Sequence, residues 1–500
     1  MTMQDTSRFP ADSYKAAVLS PLFEEAKAHY YPFLQRINRA HGVMLAEQGI
    51  LTKPEAGKIL GALDEIDATL DLKSLTYTGQ FEDLFFVVED ALCAKVGKEL
   101  GGRLHTGRSR NDMDVTMFKM VLKRRLDDAI GQLSIVIRSL LATSEREKDT
   151  LVIAYTHGQP AQPTRFGHYL SALTEVLLRD LNRLVNARED ADLCSMGAAA
   201  ITTTGFPLNR ERMAELLGFA DLQLNSYGCI AAADYLMSAY SALKGVFLNL
   251  GRFIQDMNVW SGFEVGHLYV PNAFVQISSI MPQKRNPVPI EHMRSMASHG
   301  AGHCDTVLGT LHNTPFTDMN DAEGPTQATG YAAFAVASRL LPLFADFIGA
   351  VKINEAKVRE HMDQSCLVMT EVADSLVRLE GLSFRQGHEV ASKLSRLLID
   401  NGLPVSGLTP ETLSEVFEDV AGRKIKLTMG EIRTLCTPEH FIEVRTLPGG
   451  PGKAALADAL RIYTARLAEL SKKHAVGKAR EAAADAQLAK VAGDLVRGAV

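Results

Sequence analysis

A twelve-residue stretch beyond the middle of the chain holds side chains that could carry out an elimination. It runs from 276 to 287 and reads QISSIMPQKRNP, so two hydroxyls (Ser278 and Ser279), one cation (Lys284) and one amide (Asn286) fall within nine residues. Two prolines restrict the backbone around them. Taking a proton from a carbon beside a carboxylate requires a base, and the doubly charged carboxylate that forms requires cations and hydrogen-bond donors. These residue types therefore point to an elimination site.

Ser278 is the candidate base of this segment. Because a serine hydroxyl has a pKa far above neutrality, its oxyanion must be held by backbone donors and by a nearby cation such as Lys284. The residue types by themselves also fit an ordinary proline-flanked surface loop in which Lys284 and Arg285 are solvated, since short motifs have many false positives.

A second polar segment lies between two apolar helical patterns. It spans residues 101 to 114 and reads GGRLHTGRSRNDMD, with several charged and polar side chains in close succession. Burying so many polar groups costs free energy unless they bind a ligand or pair with one another. The alternative is a solvated connection that happens to be rich in basic residues.

A third segment places a histidine between two predicted helices. Residues 155 to 162 read YTHGQPAQ, so Thr156 and His157 precede a Gly-Gln-Pro break. The break puts the imidazole at the mouth of a helical bundle rather than inside it. A single histidine is more often structural than catalytic, so this segment alone does not establish a role.

The three segments together resemble a known group of enzymes. QISSIMPQKRNP closely resembles the signature loop of the fumarase/aspartase superfamily, whose members eliminate fumarate from succinyl-type substrates. HTGRSRND is similar, almost letter for letter, to the argininosuccinate lyase branch, and the resemblance covers residues 20 to 470 in order. It implies an all-α fold with three regions and a long central helical bundle. It also implies a homotetramer whose active sites lie where three subunits meet.

The resemblance assigns a role to each candidate residue. Ser278 matches the serine that serves as the base, while Lys284 and Asn286 match positions that bind the substrate carboxylate. His157 would protonate the leaving nitrogen or orient a water that does so, and the identity of the acid stays open. A planar guanidinium such as that of Arg110 suits a carboxylate, which it can grip with two parallel hydrogen bonds. The catalytic candidates are Ser278, His157, Lys284 and Asn286, and the substrate-binding candidates are Ser109, Arg110, Asn111, Thr156, Gln159, Ser279 and Met281.

The segment that would select the substrate departs from the branch. Residues 314 to 325 read TPFTDMNDAEGP, where argininosuccinate lyases have a Tyr, a Gln and a Lys that hold the citrulline-like end of the substrate. Aligned on Asp318, those positions become Pro315, Asn320 and Glu323. A Lys-to-Glu exchange changes the preferred partner from an acceptor to an amine or another donor. The departure argues against argininosuccinate as the substrate.

Other departures lie in the matching segments themselves. Ile277 stands where the family has a glycine before the serines, and a stiff β-branched residue there predicts a less mobile loop. Phe85 replaces a histidine that follows the acids Glu82 and Asp83, and only Asp234 remains of an Asp-Arg-Asp run. Part of the family's polar lining is therefore missing.

The resulting hypothesis is a carbon–nitrogen lyase that eliminates fumarate from an N-substituted L-aspartate. An aminopolycarboxylate such as ethylenediamine-N,N'-disuccinate, which one family member cleaves, is favoured over argininosuccinate. Argininosuccinate itself, as in arginine biosynthesis, and adenylosuccinate remain alternatives. A non-catalytic structural role is the rival outside enzymes, because eye-lens delta crystallins look like argininosuccinate lyase and some are inactive.

Composition bounds these hypotheses. The 500 residues are 46% hydrophobic, which is enough for a large core. The 53 basic and 59 acidic residues give a net charge of −6 without a long like-charge block, so nucleic acid is not an expected partner. Six cysteines without a CxxC pair are typical of reduced thiols in a cytoplasmic protein. No metal-ligand spacing such as HExxH occurs, and an elimination of this kind needs no cofactor.

The sequence predicts neither a secretory signal nor a membrane span. The first twenty residues carry acids and a proline but no apolar segment. The most apolar long window, from 330 to 351, contains Arg339, Pro342 and Asp346. These residues favour a buried helix over a membrane-spanning one.

Apolar residues recur at helical spacing through most of the chain, so we expect helices and no large sheet. Shorter helices are predicted at 23–42, 53–70 and 210–217. Long helices at 115–142, 163–185, 234–260, 291–311 and 326–351 predict a bundle through which subunits associate. The predicted regions are an N-terminal helical domain (1–112), a central helical bundle with the signature loop (113–362), a small C-terminal helical domain (363–470) and a C-terminal helical extension (471–500).

Overall fold

The computed structural model describes residues 9–498 and has the expected all-α fold. Within those residues, all β-structure consists of short two-stranded ribbons. Residues 1–8 and 499–500 lie outside the described part. They include the start of the segment considered for a secretory signal and the outer ends of the first and last predicted regions.

Six helices precede the central bundle. Thr52 caps α4 with a capping box, in which the Thr52 hydroxyl accepts from the Glu55 N–H and the Glu55 carboxylate accepts from the Thr52 N–H. The helix predicted over 23–42 is two helices, because Pro32 has no N–H with which to continue the first one. The helices are α1 (Asp12–Tyr14), α2 (Ser20–His29), α3 (Tyr31–Glu47), α4 (Lys53–Thr69), α5 (Leu84–Val96) and α6 (Lys98–Arg103), with a π-helix (Lys15–Leu19) between α1 and α2.

Five long helices pack side by side and bury the main apolar core. The first of them begins five residues before its predicted start, because Ser109 and Asp112 form a capping box there. The short helix predicted at 210–217 has those bounds and begins at its Asn209 cap. The helices of this region are α7 (Arg110–Arg146), α8 (Phe166–Asp190), α9 (Arg210–Leu217), α10 (Ser226–Ala231), α11 (Asp234–Ser261), α12 (Val288–Leu311) and α13 (Gly324–Ala350), of which α7, α8, α11, α12 and α13 are the long ones.

A β-hairpin occupies the break between α7 and α8. The helix predicted from Pro163 begins only at Phe166, because Pro160 and Pro163 disfavour helical backbone at and before their positions. Strand β1 (Leu151–Thr156) instead pairs antiparallel with β2 (Gln159–Arg165). His157 (φ 53°) and Gly158 (φ 73°) form the turn, and positive φ at both central residues is the geometry that tight hairpins favour. We call this element, residues 151–165, the histidine hairpin.

Three smaller ribbons tie loops together. The signature segment forms one of them, in which Gln276 lies opposite Asn286 and Ile277 lies opposite Arg285. We call residues 276–286 the signature hairpin. The ribbons are β3 (Leu193–Cys194) parallel to β4 (Asp221–Leu222), β5 (Leu268–Tyr269) antiparallel to β8 (Lys352–Ile353), and β6 (Gln276–Ile277) antiparallel to β7 (Arg285–Asn286).

A smaller helical region with its own apolar cluster follows the bundle. The last helix then runs for 46 residues, about 69 Å at 1.5 Å per residue, and contacts α8, α7, α9, α3 and α4 on its way back to the N-terminal region. The helices are α14 (Glu355–Gln364), α15 (Met369–Glu380), α16 (Phe384–Asp400), α17 (Pro410–Ala421), α18 (Met429–Leu435), α19 (Pro438–Glu443) and α20 (Lys453–Gly498).

Buried ion pairs fasten α20 to the bundle. The Arg188 guanidinium lies 2.6 Å from Asp127, 3.0 Å from Asp192 and 2.7 Å from Glu481 of α20. Lys123 reaches Asp192 at 2.6 Å and Glu481 at 2.8 Å. Buried charges of this kind depend on their partners, so Glu481 fastens the second half of α20, the predicted C-terminal helical extension, to the bundle.

Helix α13 is the one helix among residues 9–498 that is long and apolar enough, by length and composition, to cross a membrane. The helix packs between α7 and α12, and Phe344 and Phe347 are fully buried there. It therefore has the surroundings of a core helix in a bundle, as predicted from the sequence.

The three boundaries between predicted regions fall inside continuous helices. Positions 112/113 lie in α7, positions 362/363 in α14 and positions 470/471 in α20. Helices α7 and α20 each contribute to two apolar clusters, and α14 contributes to the small C-terminal cluster only. The division into four regions stays a prediction.

Candidate active site

Two backbone groups hold the hydroxyl of Ser278. The N–H of Met281 donates to Ser278 Oγ at 3.0 Å, and the N–H of Ile280 donates at 3.4 Å. Hydrogen bonds to the charged form of an acid lower its pKa. The turn of the signature hairpin thus provides the backbone donors that a serine oxyanion requires.

Arg285 anchors the signature hairpin to the bundle. Its guanidinium donates to the Val270 carbonyl at 2.9 Å and to Asn272 Oδ1 at 2.7 Å, and it lies over the Tyr269 ring at 4.9 Å. Asn286 adds a cross-strand bond to the Gln276 carbonyl at 3.2 Å. Arg285 is thus exposed, as in the surface-loop alternative, and is also hydrogen-bonded to the preceding loop.

The rest of the signature hairpin faces outward. The side chains of Ile277 and Ile280 are 89% and 83% exposed, and Lys284, Ser279 and Met281 are exposed as well. Among residues 9–498, no carboxylate forms an ion pair with Lys284. The tip of the hairpin thus exposes apolar side chains and the ammonium group of Lys284 on the surface of the protomer.

The polar segment at the start of α7 divides into buried and open residues. Asp112 is fully buried and accepts from the N–H groups of Ser109, Gly197 and Ala199 at 2.9 to 3.0 Å. Burial raises the pKa of Asp112 to about 6. Arg108 is also buried and donates to Asn38, and burial lowers its pKa to about 10. These residues hold the helix start in place.

Arg110 and Asn111 lie in the open part of the same helix start. Arg110 Nη1 is 2.7 Å from Asp83 and Nη2 is 3.1 Å from Glu82. Asn111 Nδ2 donates to Asp318 at 2.9 Å and to the Ala200 carbonyl at 3.1 Å. Four separate parts of the chain thus meet here in a site that we call the arginine pocket (Glu82, Asp83, Ser109, Arg110, Asn111 and Asp318).

His157 sits exposed at the tip of the histidine hairpin. Its neighbours Thr156 and Gln159 are exposed there too. A non-glycine residue at positive φ is uncommon, and such strained positions cluster at functional sites. The placement at the end of the bundle, rather than inside it, agrees with the sequence prediction.

One protomer does not bring the three groups together. At 1.5 Å per residue, α7 extends about 55 Å from Arg110 towards the histidine hairpin, and α12 extends about 36 Å from the base of the signature hairpin to Leu311, which precedes Asp318 in the chain. Among residues 9–498, no hydrogen bond or ion pair joins one group to another. The histidine hairpin lies near the segment between α11 and the signature hairpin, since the Tyr155 ring is 6.3 Å from that of His267.

Sequence reasoning overlooked two parts of the site. Asp114 lies one helical turn after Arg110, and the spacing of four residues could have placed both side chains on one face. The second part is the pair of N–H donors from Ile280 and Met281. Residue types could not identify them, because the backbone path of the turn alone directs these N–H groups towards Ser278.

Comparisons with known proteins identify the relatives of this chain. A family model described as a lyase matches residues 32–302, and one described as the argininosuccinate lyase C-terminal region matches residues 366–443. Argininosuccinate lyase 2 of Agrobacterium fabrum (strain C58) is 50% identical over 487 residues, which cover 96% of each chain. Argininosuccinate lyase 1 of Shouchella clausii is 31% identical and covers 98% of each chain.

Solved structures show the same fold. A crystal structure of EDDS lyase in complex with formate superposes with a TM-score of 0.84 and 26% identity, covering 96% of this chain and 95% of that one. A class II fumarase from Schistosoma mansoni superposes with a TM-score of 0.66 at 16% identity, covering 84% and 90% of the chains. The second comparison bears on the fold alone.

Proposed function

Since the chain belongs to the argininosuccinate lyase branch of the fumarase/aspartase superfamily and is a carbon–nitrogen lyase that releases fumarate, we propose that its substrate is an N-substituted L-aspartate other than argininosuccinate. The observation that carries this proposal is Glu323. It brings a carboxylate to the side of the arginine pocket where the branch has a lysine. A carboxylate there disfavours a substrate that ends in an amino acid carboxylate.

The reaction follows from the groups at the signature hairpin. Ser278 Oγ, as the oxyanion held by two N–H groups, takes the proton from the aspartyl carbon next to the side-chain carboxylate. The electron pair of that C–H bond passes into the carboxylate, whose added charge Lys284, Asn286 and Arg110 stabilise. It then forms the C=C bond of fumarate as the C–N bond on the opposite face breaks.

The departing nitrogen keeps the electron pair of the broken bond and takes up one proton. His157 is the group that we assign to this end of the reaction, either as the acid or as the group that orients a water. The sum of the two steps is one fumarate and one free amine, without an oxidant or a reductant.

Arg110 can hold a substrate carboxylate without leaving its own acids. A guanidinium carries five N–H donors, and Asp83 and Glu82 engage one each. The remaining donors suit a carboxylate of the fumarate portion. Ser109, Asn111, Thr156, Gln159, Ser279 and Met281 complete the set of proposed substrate contacts.

A homotetramer with shared active sites is the assembly that we propose. Arg110, Ser278 and His157 are too far apart within one protomer to act on one small molecule. Several large apolar side chains on the outer faces of the central helices are about half exposed and available for subunit contacts. They include Ile135, Met237, Leu248 and Val259.

The amine half of the substrate has two candidates. An aminopolycarboxylate such as ethylenediamine-N,N'-disuccinate is supported by the fold similarity to EDDS lyase. Argininosuccinate is the second candidate, which the 50% identity to an argininosuccinate lyase favours. A purely structural role is disfavoured, because all the candidate residues for the fumarate side are present. The six free cysteines support a cytoplasmic location.

Release of fumarate, followed by its absorbance, tests the assignment of the base. We expect Ser278→Ala to lower kcat by about 10²- to 10⁴-fold, the usual contribution of a positioned base. Ser74→Ala, at an exposed serine of the N-terminal region, is the matched control and should retain native turnover. Near-normal turnover of Ser278→Ala would remove the serine from the mechanism. A stable tetramer that releases no fumarate from any N-succinyl amine would instead favour the structural role.

A further inference from the structure

A cavity of about 550 Å³ lies in the small helical region that follows the bundle. Its walls come from α14, from the loop before α17 with the first turn of that helix, and from the turn between α18 and α19. Pockets of this size hold small molecules. The lining, drawn from residues 359 to 438, includes none of the residues assigned to the lyase reaction. The proposed reaction therefore leaves this cavity without a role.

Much of the cavity lining is apolar. Its most enclosed side chains are those of Met362 and Val368, each 3% exposed, and Val405, which is 7% exposed. An apolar group that leaves water to pack against these side chains gains free energy in proportion to the area that it buries. The other apolar residues of the lining are Leu408, Pro410 and Pro438. The cavity thus suits a ligand with an apolar body.

Several polar groups of the lining already have partners, and these partners hold the walls in place. Asp363 accepts from the N–H and from the hydroxyl of Ser406, both at 2.7 Å. Arg359 forms an ion pair with Glu439 at 2.8 Å. The two threonines of the lining cap α17 and α19. These groups fix the shape of the cavity and need no ligand.

Two charged residues of the lining lack partners. They are Arg433, on α18, and Glu411, in the first turn of α17. Among residues 9–498, neither side chain forms a hydrogen bond or an ion pair, with the other or with any other residue. Both are exposed, and water satisfies an exposed charge, so neither residue alone indicates a ligand. The informative feature is that opposite free charges line one apolar cavity.

The two charges limit the kind of ligand that fits. The guanidinium of Arg433 can hold a carboxylate with two parallel hydrogen bonds, and the carboxylate of Glu411 can accept from an ammonium group. A ligand with only a negative charge would meet the repulsion of Glu411, and one with only a positive charge would meet that of Arg433. A ligand that carries both charges avoids either penalty.

We propose that this cavity is a binding site for a zwitterionic α-amino acid with a large apolar side chain. The carboxylate of the amino acid binds Arg433, its ammonium group binds Glu411, and its side chain packs against Met362, Val368 and Val405. The site lies outside the lyase reaction, so the inference holds for any substrate of that reaction.

Four compounds test the inference with the full-length native protein, by titration calorimetry. They are L-phenylalanine, 3-phenylpropanoate, which lacks the ammonium group, 2-phenylethylamine, which lacks the carboxylate, and glycine, which lacks the apolar side chain. We expect L-phenylalanine to bind about tenfold or more tightly than each of the other three, since a hydrogen bond to a charged group, or burial of a phenyl ring, contributes at least that factor.

Each other result contradicts a stated part of the inference. An absence of L-phenylalanine binding overturns it. Affinity for 3-phenylpropanoate or 2-phenylethylamine equal to that for L-phenylalanine overturns the zwitterion, and equal affinity for glycine overturns the apolar side chain. Displacement of L-phenylalanine by fumarate would place it in the lyase site and overturn the separate cavity.

Substitutions on the two walls locate the ligand. Arg433→Gln should weaken L-phenylalanine about tenfold and leave 2-phenylethylamine no weaker, because that analogue has no carboxylate to lose a partner. Glu411→Gln should weaken L-phenylalanine by a similar factor and leave 3-phenylpropanoate no weaker. Arg385→Gln and Glu415→Gln, at exposed charges of the same region outside the lining, are the matched controls and should keep native affinity.

Turnover separates a local effect from a loss of fold. Because Arg433 and Glu411 are exposed and take no part in the proposed reaction, both variants should release fumarate at the native rate. Native affinity for L-phenylalanine in both variants would place the amino acid elsewhere and overturn the proposal. The fumarate-releasing activity would stand in that case, because it uses other residues.

Discussion

The arginine pocket and the signature hairpin differ in how much of their structure one protomer supplies. Arg110 and Asn111 contact Glu82, Asp83 and Asp318 of their own protomer, and buried Asp112 holds the start of α7 to residues 197–199. The signature hairpin is fixed mainly through Arg285, while its tip exposes Ile277 and Ile280. The side chains around Arg110 are thus held in place within one protomer, whereas the tip of the signature hairpin is open to contact by a neighbouring molecule.

Complementation between inactive variants has the largest expected effect. It tests whether different subunits supply Arg110 and the signature hairpin to one site. Arg110→Ala should lower kcat by about 10²- to 10³-fold, as loss of a donor at a developing charge does. Ser278→Ala should be inactive as well. Because different subunits would supply the two residues, co-expression of both variants in equal amounts should restore about a quarter of the native activity.

A matched mixture controls for this recovery. Ser278→Ala and Lys284→Ala alter the same hairpin, so no hairpin in their mixture is intact and activity should stay at the level of the single variants. Recovery in the control, or none in the first mixture, would contradict sites shared between subunits.

Loss of the ion pairs between α20 and the bundle should lower the stability of the protein. Arg188→Ala removes the guanidinium that Asp127 and Asp192 share, while His474 remains on Asp127 and Lys123 on Asp192. Loss of one partner from this buried cluster should lower the free energy of unfolding by about 3 kcal/mol. Arg461→Ala removes an exposed pair on the same helix and should cost less than about 1 kcal/mol. Denaturant unfolding measures both values.

Hydrogen exchange sharpens that test. Arg188→Ala should speed amide exchange where α20 packs on α7 and α8, and leave the signature hairpin unchanged. Equal unfolding free energies for Arg188→Ala and Arg461→Ala would show that the buried pairs do not fasten α20.

Acidic pH should lower the free energy of unfolding by a smaller amount, through a histidine buried near the start of α7. His41 is buried beneath the start of α7, with Nε2 2.9 Å from the Thr106 carbonyl, and burial lowers its pKa to about 3. The unfolded chain takes up this proton near pH 6.5, while the folded chain does not until near pH 3, so stability falls as the pH drops through that range. Between pH 7 and pH 5, the loss should be about 2 kcal/mol.

A substitution identifies the residue responsible. His41→Gln keeps a donor near Thr106 without a titrating group, and the fall in unfolding free energy between pH 7 and pH 5 should shrink by about the same 2 kcal/mol. An unchanged pH dependence in the variant would assign the acid sensitivity to other groups. Burial also lowers the pKa of nearby His105 to about 4, which makes it the next residue to replace.

Local interactions made much of the fold predictable. Caps at Thr52 and Asn209 are formed by residues within one turn of their helices, so they can be read from the sequence. The same holds for apolar spacing along the long helices. The prediction of a helix from Pro163 was wrong because it followed the apolar pattern of the later residues. In the structure, the backbone restriction of Pro160 and Pro163 delays the start of the helix.

The chemistry of the candidate residues follows from the sequence by itself. Residue types indicate the kind of reaction and the charges of the groups that take part in it, because those properties belong to the side chains. The informative residues are the serine pair with its lysine and amide, Arg110 and Glu323. Only the tertiary structure decided which groups meet. The backbone donors to Ser278, the contacts of Glu82 and Asp83 with Arg110, and the separation of Arg110 from His157 by the length of α7 depend on the path of the chain. Contacts between residues distant in the chain follow from packing, which residue types do not specify.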